Sequence, residues 1–317
     1  MTVRGKDRQA VTPLAPGDQT LAATAVPLPS GLRRAWQTGK WRRWVPVVAT
    51  HAVLLVGAVF ILAPALWMLS TSLKDVSHLF DYPPQWIPDP VRWDNYVKAL
   101  TALPFGRYFL NTAFVTIMST VGSIGSSLLI AYGFARLRFP GREFLFYTVL
   151  ATMMLPGQVT MVPTFILFRS LHWVDTYLPL FVPLYFGRPF FIFLLRQFFL
   201  TVPKDLDEAA RIDGCNSFQI LSRILLPQIK PALAALAIFS FMWSWDDFMN
   251  PLIYINSSDK WTLALALNGF QSPLDPGMPV LHLVMAASVV VALPAIIIFF
   301  LAQRFFIEGV VISGIKG

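Results

Sequence analysis

Charge is what this 317-residue chain has least of. Asp, Glu, Lys and Arg together make up 13%, about half the share of an ordinary soluble domain, and that scarcity excludes a typical soluble enzyme. Cysteine is nearly missing: Cys215 stands alone, so no internal disulfide can form, and its neighbours offer no metal-ligand spacing. It reads as a small residue. The four histidines, His51, His78, His172 and His282, are scattered and form no H-E-x-x-H or comparable pattern. No nucleophile–base constellation is legible, and no G-x-x-x-x-G-K-[ST] phosphate loop is present. The expectation is a chain with no catalytic residue, no metal site and no cofactor.

What the chain has is hydrocarbon. Hydrophobic residues make up 56%, the mean hydropathy is +0.59, and the apolar residues are spread along almost the whole length. Crossing about 30 Å of hydrocarbon takes roughly 20 helical residues. Charge-free runs of that length lie between Arg43 and Lys74, Arg107 and Arg136, Glu143 and Arg169, and Asp275 and Arg304. Two further runs are imperfect. One, between Asp175 and Arg196, is broken only by Arg188; the other starts after Lys230 and passes through Asp246 and Asp247 to about Ile255. The expectation is an all-α membrane protein with six transmembrane helices.

The net charge of +8 could suggest nucleic acid, but the basic residues follow the membrane instead. With the N-terminus inside, the N-terminal tail, the second and fourth connections and the C-terminal tail hold 8, 3, 5 and 2 Lys or Arg, whereas the three opposite connections hold 4, 1 and 1. Lys and Arg concentrate on the cytoplasmic side, so both termini are expected there. Membrane lipid is then a partner and nucleic acid is not. The first apolar run begins too late and runs too long for a signal peptide, and is read as a retained helix.

Residues 1–44 read as a disordered, basic cytoplasmic tail, with Pro13, Pro16, Pro27 and Pro29 in its early part and Arg33, Arg34, Lys40, Arg42 and Arg43 abutting the membrane. Residues 45–317 read as the transmembrane domain. Its spans are expected at about 45–69, 108–137, 144–168, 176–195, from just after 230 to 255, and within 275–304. Ser119, Ser123 and Ser127, four apart, share one helix face suited to close packing, with a polar channel lining as the alternative. Spans three and four carry Pro156-Gly157, Pro163, Pro179, Pro183 and Pro189, and the backbone groups freed there need a neighbouring helix or a wet cavity.

The connection from Thr201 to Lys230 is too structured for a plain loop. Pro203 suits a first helical turn, Asp205, Asp207 and Glu208 suit the positive end of a helix dipole, and Gly214 suits a left-handed position beyond the C-terminus. Asn216 and Gln219 then form a candidate capping box, with an amphipathic second helix that Pro227 is expected to stop. A bent helix pair facing the cytoplasm results.

The same residues spell Glu208-Ala209-Ala210, three residues, Gly214, nine residues, Ile224, Leu225, Leu226 and Pro227. This resembles, at every fixed position of EAA-x3-G-x9-I-x-LP, the EAA loop of permease subunits in binding-protein-dependent ABC importers. The segment from Pro189 to Phe199, and the tail Gln303-Arg304-Phe305-Phe306-Ile307-Glu308-Gly309 with Gly314 to Gly317, are similar to the carbohydrate, MalG-like branch. The resemblance covers residues from about 45 to the end. One departure is Asp246, where the family more often has Asn.

The resemblance implies a permease subunit importing a sugar or oligosaccharide across the bacterial inner membrane. It implies a homologous second permease, two ATPase subunits docked on the EAA loop, and an extracytoplasmic solute-binding protein. With no phosphate loop in this chain, ATP hydrolysis falls to a partner. Glu208, Ala209, Ala210, Gly214, Ile224, Leu226 and Pro227 are the coupling residues it implies. An ion-gradient-driven secondary transporter is the alternative class, but it calls for internal repeats and intramembrane carboxylates; no convincing repeat is visible and the first four spans contain no acid.

For the substrate pathway the candidates are Arg188, Trp243, Asp246 and Asn250. Arg188 falls inside a span, where a charge is costly and faces protein or water; a structural ion pair is the alternative. Aromatic rings stack on sugar faces and carboxylates accept hydroxyl protons, which favours Trp243 and Asp246; an interfacial aromatic belt is the alternative. Asp246 and Asn250 share a face if the fifth helix continues through both.

Overall fold

The computed structural model describes residues 40–270 and 280–314, the side chains of 40–43 and 304–314 excepted. Residues 1–39 of the tail, the connection 271–279 and the side chains of the C-terminal signature lie outside the described residues. Among those described, there is no strand.

Helix α1, Lys40–Ser72, carries no charged residue from Trp44 to Ser72 and is about 50 Å long at 1.5 Å per residue. Its stretch up to Ala63 belongs to a first unit, in which the side chains of Trp44, Val53, Phe60 and Ile61 are exposed. The second unit runs from Pro64. It contains α2, Asp94–Ala102, and the long α3, Phe105–Arg136.

The third expected span is broken. Helices α4, Arg142–Thr152, and α5, Gly157–Ser170, meet at 97°. Pro156 explains the break: it supplies no N–H, and its ring drives Leu155 out of helical backbone. The fourth span is also interrupted. Helix α6, Leu178–Phe181, passes into a 3-10 turn, Val182–Phe186, and α7, Pro189–Thr201, carries it several residues beyond the expected end. Between them Gly187 adopts φ 94° and ψ 147°, backbone open essentially only to glycine.

After α8, Asp205–Ile212, and α9, Ser217–Gln228, the chain turns 84° at Ile229 into α10, Lys230–Trp245. The fifth span therefore stops about ten residues short of its expected end. Asp246 ends α10 as its C-cap, and a separate short helix, α11, Met249–Tyr254, begins after Phe248. Asp247, one residue before the Phe248 N-cap, accepts the Asn250 backbone N–H at 3.2 Å and so satisfies one of the free donors of the new first turn. Helices α12, Leu263–Gly269, and α13, Leu281–Gly314, complete the order. Among the described residues four helical stretches are long and apolar enough to cross a membrane, or up to six when each bent pair counts as one.

Helix α3 is the axis of the second unit and packs against α7, α10, α12 and the 3-10 turn. Its small-residue face makes this possible. Ser119, Ser123 and Ser127 are all buried, and Ser123 Oγ meets Ser240 Oγ of α10 at 3.0 Å. A Cβ on Gly122 would run into the Tyr185 ring, so glycine there sets the approach of the 3-10 turn. The same face serves the backbone opened by the break beside it: Ser126 Oγ donates to Leu184 O at 3.1 Å and Ser127 Oγ accepts the Arg188 N–H at 2.9 Å. The stripe is thus both a packing surface and the partner of groups that lipid could not satisfy.

Candidate functional site

At the loop end of the bundle, α8 opens with Asp205, Asp207 and Glu208 in its first turn, where the helix dipole favours negative charge. It closes in a Schellman arrangement: Cys215 N–H donates to Ala210 O at 2.9 Å and Gly214 N–H to Arg211 O at 3.1 Å, with Gly214 at φ 81°. The capping box that starts α9 is formed on both sides, Gln219 N–H donating to Asn216 Oδ1 at 2.9 Å and Asn216 N–H to Gln219 Oε1 at 2.8 Å. Pro227 does not stop α9, which reaches Gln228. Lacking an N–H, it leaves the Arg223 carbonyl without its usual donor; residues 220–225 widen into a π turn, and Leu226 N–H donates to Leu221 O.

The motif residues divide between inside and outside. Ala210 is buried with Ile220, Leu221 and Leu225, in one apolar cluster with Phe191, Leu195 and Phe199 of α7 and Ala135 of α3. Ile224 packs at its edge, Leu226 is half-buried, and Glu208, Ala209, Gly214 and Pro227 are exposed. Beside Glu208 the surface carries two large apolar side chains, Ile212 at 87% and Phe218 at 69% exposure. The loop has two faces: its inner side chains belong to the bundle core, and its outer ones mix Glu208 and the apolar Ile212 and Phe218 with exposed Arg211 and Arg223.

Sequence reading missed what ties this loop to α3. The guanidinium of Arg136, in the last turn of α3, lies 3.3 Å from the Asp207 carboxylate through Nε, and Nη2 donates to Val202 O at 2.8 Å. Both side chains are almost wholly buried, at 1% and 7% exposure. In the sequence Arg136 is one of several basic residues flanking a span and Asp207 one of several acids in a first turn, so no local pattern pairs them across seventy positions.

The pathway candidates do not form one group. Arg188 is the N-cap of α7, and its guanidinium sits 4.8 Å from the Trp243 ring centroid and 5.7 Å from that of Phe191. Trp243 in turn stacks on Phe191 and Phe239. This is a cation–π arrangement, and Trp243 remains 46% exposed. Asp246 is exposed and Asn250 donates through Nδ2 to Asp247 Oδ2 at 2.8 Å. Because α10 ends at Trp245, Asp246 and Asn250 do not share a continuous helix face; Asp247 is the acid within electrostatic reach of Arg188. Among the described residues no group of three His, Cys, Asp or Glu side chains is placed to hold a metal ion.

At the opposite end a polar latch joins the turn before α6 to the turn after α11. Asp175, at φ 62°, accepts the N–H groups of Asn256 and Ser257 at 3.0 and 2.9 Å, the Ser257 hydroxyl at 2.6 Å and Lys260 Nζ at 3.0 Å. These donors, Ser257 first, hold the Asp175 carboxyl well below the usual carboxylate range.

Residues 123–311 match the family described as binding-protein-dependent transport system inner membrane component. Among curated relatives, the arabinooligosaccharides transport system permease protein AraQ of Bacillus subtilis is 34% identical over 273 residues, 85% of this chain and 96% of that one. The diacetylchitobiose uptake system permease protein NgcG of Streptomyces coelicolor is 32% identical over 80% of this chain and 84% of its own. Among solved structures, a bacterial ABC transporter involved in the import of the acidic polysaccharide alginate matches with a TM-score of 0.75 at 24% identity, covering 84% of this chain and 98% of that one.

Proposed function

This chain belongs to the family of binding-protein-dependent transport system inner membrane components, and on that premise we propose that it is a permease subunit of an ATP-driven importer for a sugar or oligosaccharide. It pairs with a homologous permease, receives substrate from an extracytoplasmic binding protein and is driven by two ATPase subunits. The chain itself is not an enzyme; ATP is hydrolysed on the partners. The names of the AraQ and NgcG relatives support the substrate class.

The observation that carries the reading is the two-faced loop. A lever between an ATPase and a gate must be stiff at its root and grippable at its tip. Here Ala210, Ile220 and Leu225 fix the root in the core, while Glu208, Ala209, Ile212 and Phe218 form an exposed face for an ATPase groove. The basic asymmetry supports a cytoplasmic position for this loop and for both termini. Residues 1–44 then form a cytoplasmic tail ahead of the transmembrane domain, 45–317. Along the pathway Arg188, Trp243, Asp246 and Asn250 contact the saccharide, with Trp243 offering its exposed ring and Asp246 accepting hydroxyl hydrogen bonds.

Glu208→Ala and Gly214→Val are expected to lower ATP-driven uptake while leaving binding-protein docking unchanged. Removing Glu208 deletes a charge-assisted hydrogen bond worth about 1.5 to 3 kcal/mol, and Val opposes the positive φ of residue 214. Normal uptake by both variants in assembled complexes would take the coupling role away from this loop. Reporter fusions after Gly317 test the orientation, and uptake by Arg188→Gln and Asp246→Asn complexes tests the pathway.

A further inference from the structure

A cavity of about 360 Å³ is lined by the end of α3, the start of α4 and α8. Its lining is strongly basic: Arg136, Arg138, Arg142, Lys204 and Arg211, against two acids, Asp207 and Glu208. A second hollow of about 590 Å³ shares Arg138, Arg142 and Lys204 with it.

Much of this charge is unspent. Arg142 is engaged by Glu143, through Nη2 at 2.8 Å, and by the Leu137 carbonyl. Arg138, Lys204 and Arg211 make no side-chain hydrogen bond or ion pair with any described residue. Arg136, at 1% side-chain exposure, has Nη1 without a hydrogen-bond partner and Nε near Asp207 but not aligned to bond it. A buried guanidinium with idle donors, facing a basic cavity, is an incomplete arrangement that an anion with several acceptor oxygens would complete.

We propose that this cavity binds a phosphate group, with Arg138 presenting its guanidinium fork, Arg136 the idle Nη1, and Lys204 and Arg211 adding ammonium and guanidinium charge. The donor set favours phosphate over a single carboxylate, because basic residues line the cavity from three elements and offer more donors than two carboxylate oxygens can satisfy. The source is either the headgroup of an anionic phospholipid or a free phosphate. Basic pockets between membrane helices at the cytoplasmic surface are suited to the former, an assignment that rests on the orientation proposed above. Bound there, the phosphate bridges α3 and α8, the two elements that Arg136 and Asp207 already join, and stiffens the root of the coupling loop.

The test uses the assembled importer in nanodiscs of phosphatidylcholine alone, of phosphatidylcholine with phosphatidylglycerol, and of phosphatidylcholine with inorganic phosphate added. Thermal unfolding and native mass spectrometry read binding, and neither depends on transport or on sidedness. Wild type should be stabilised in one of the two phosphate arms, and which arm responds identifies the source. The triple variant Arg138→Gln/Lys204→Gln/Arg211→Gln removes only exposed charges, with assembly checked by co-purified ATPase. It should bind about a hundredfold more weakly, each lost cation contributing about fivefold. Stabilisation in neither arm, or equal binding by wild type and triple variant, overturns the proposal.

Discussion

The two ends of the second unit are closed by different chemistry. At the loop end Ala210, Ile220 and Leu225 sit in one apolar cluster with Phe191, Leu195 and Phe199, and the only buried ion pair between described residues, Arg136 with Asp207, lies beside it. At the opposite end the turns are joined by exposed or half-exposed polar contacts: Asp175 with Ser257 and Lys260, and Arg107 with Asp259 at 2.9 Å. Apolar packing is non-directional and resists opening throughout its area, whereas surface ion pairs contribute little and exchange readily with water. The loop end is held as one body by its shared core. The latch end adds these water-facing contacts to a smaller apolar cluster in which Tyr254 and Ile255 meet Val115, Phe168 and Leu180, so only its polar rim exchanges readily with water.

The largest effect should come from unbalancing the buried pair. Asp207→Ala leaves the Arg136 charge buried without its counter-charge and is expected to cost about 3 to 5 kcal/mol, measured by thermal or denaturant unfolding of the purified complex. Arg136→Met combined with Asp207→Leu removes both charges and should recover most of that loss. If the double variant were as unstable as the single one, the loop end would depend on this ion pair as such and not on its apolar surroundings.

A smaller effect tests the junction between the two ends. Gly187 holds φ 94°, and a Cβ on it would lie 2.7 Å from Ile130 Cδ1 and 3.0 Å from Ile192 Cδ1. Gly187→Ala should cost about 1 to 3 kcal/mol through backbone strain, with the clash adding to it. It should also displace the Arg188 N–H from Ser127. The expected readout is reduced uptake with ATPase co-purification intact, and an unaffected Gly187→Ala importer would mean that the break in the fourth span is not held in place by glycine.

What could be read in the sequence follows the range of the forces involved. The helix-turn-helix was legible down to single hydrogen bonds, because the Gly214 turn and the Asn216–Gln219 capping box are determined by residues three to five apart. The serine stripe was legible for the same reason: four-residue spacing puts side chains on one face whatever that face meets. The fifth span was read too long because its apolar composition continues through Phe248, Leu252 and Ile253, while the helix ends at Trp245 and Asp247 serves a new first turn. Arg136–Asp207 and the Asp175 latch were invisible, since their partners are separated by tens of residues and meet only once α3, α8, α6 and α11 have packed.

The latch offers the smallest and most conditional effect, a pH dependence. The Asp175 carboxyl titrates below its ordinary value in the folded protein because Ser257, Lys260 and Asn256 donate to its charged form. An unfolded Asp titrates near about 3.9, so the latch's contribution is complete above that pH and is lost as pH falls from there through the lower folded value. Asp175→Asn should therefore narrow the stability difference between neutral pH and pH of about 3 without changing behaviour between about pH 6 and 8, where the wild-type carboxylate stays charged. The carboxylate is nearly a third exposed, so screening keeps the effect small and added salt should shrink it further. Unfolding followed from neutral pH to about 3 in wild type and variant is the measurement; parallel curves would show that the latch is held by its backbone donors and the Asp175 turn, with the charge contributing nothing.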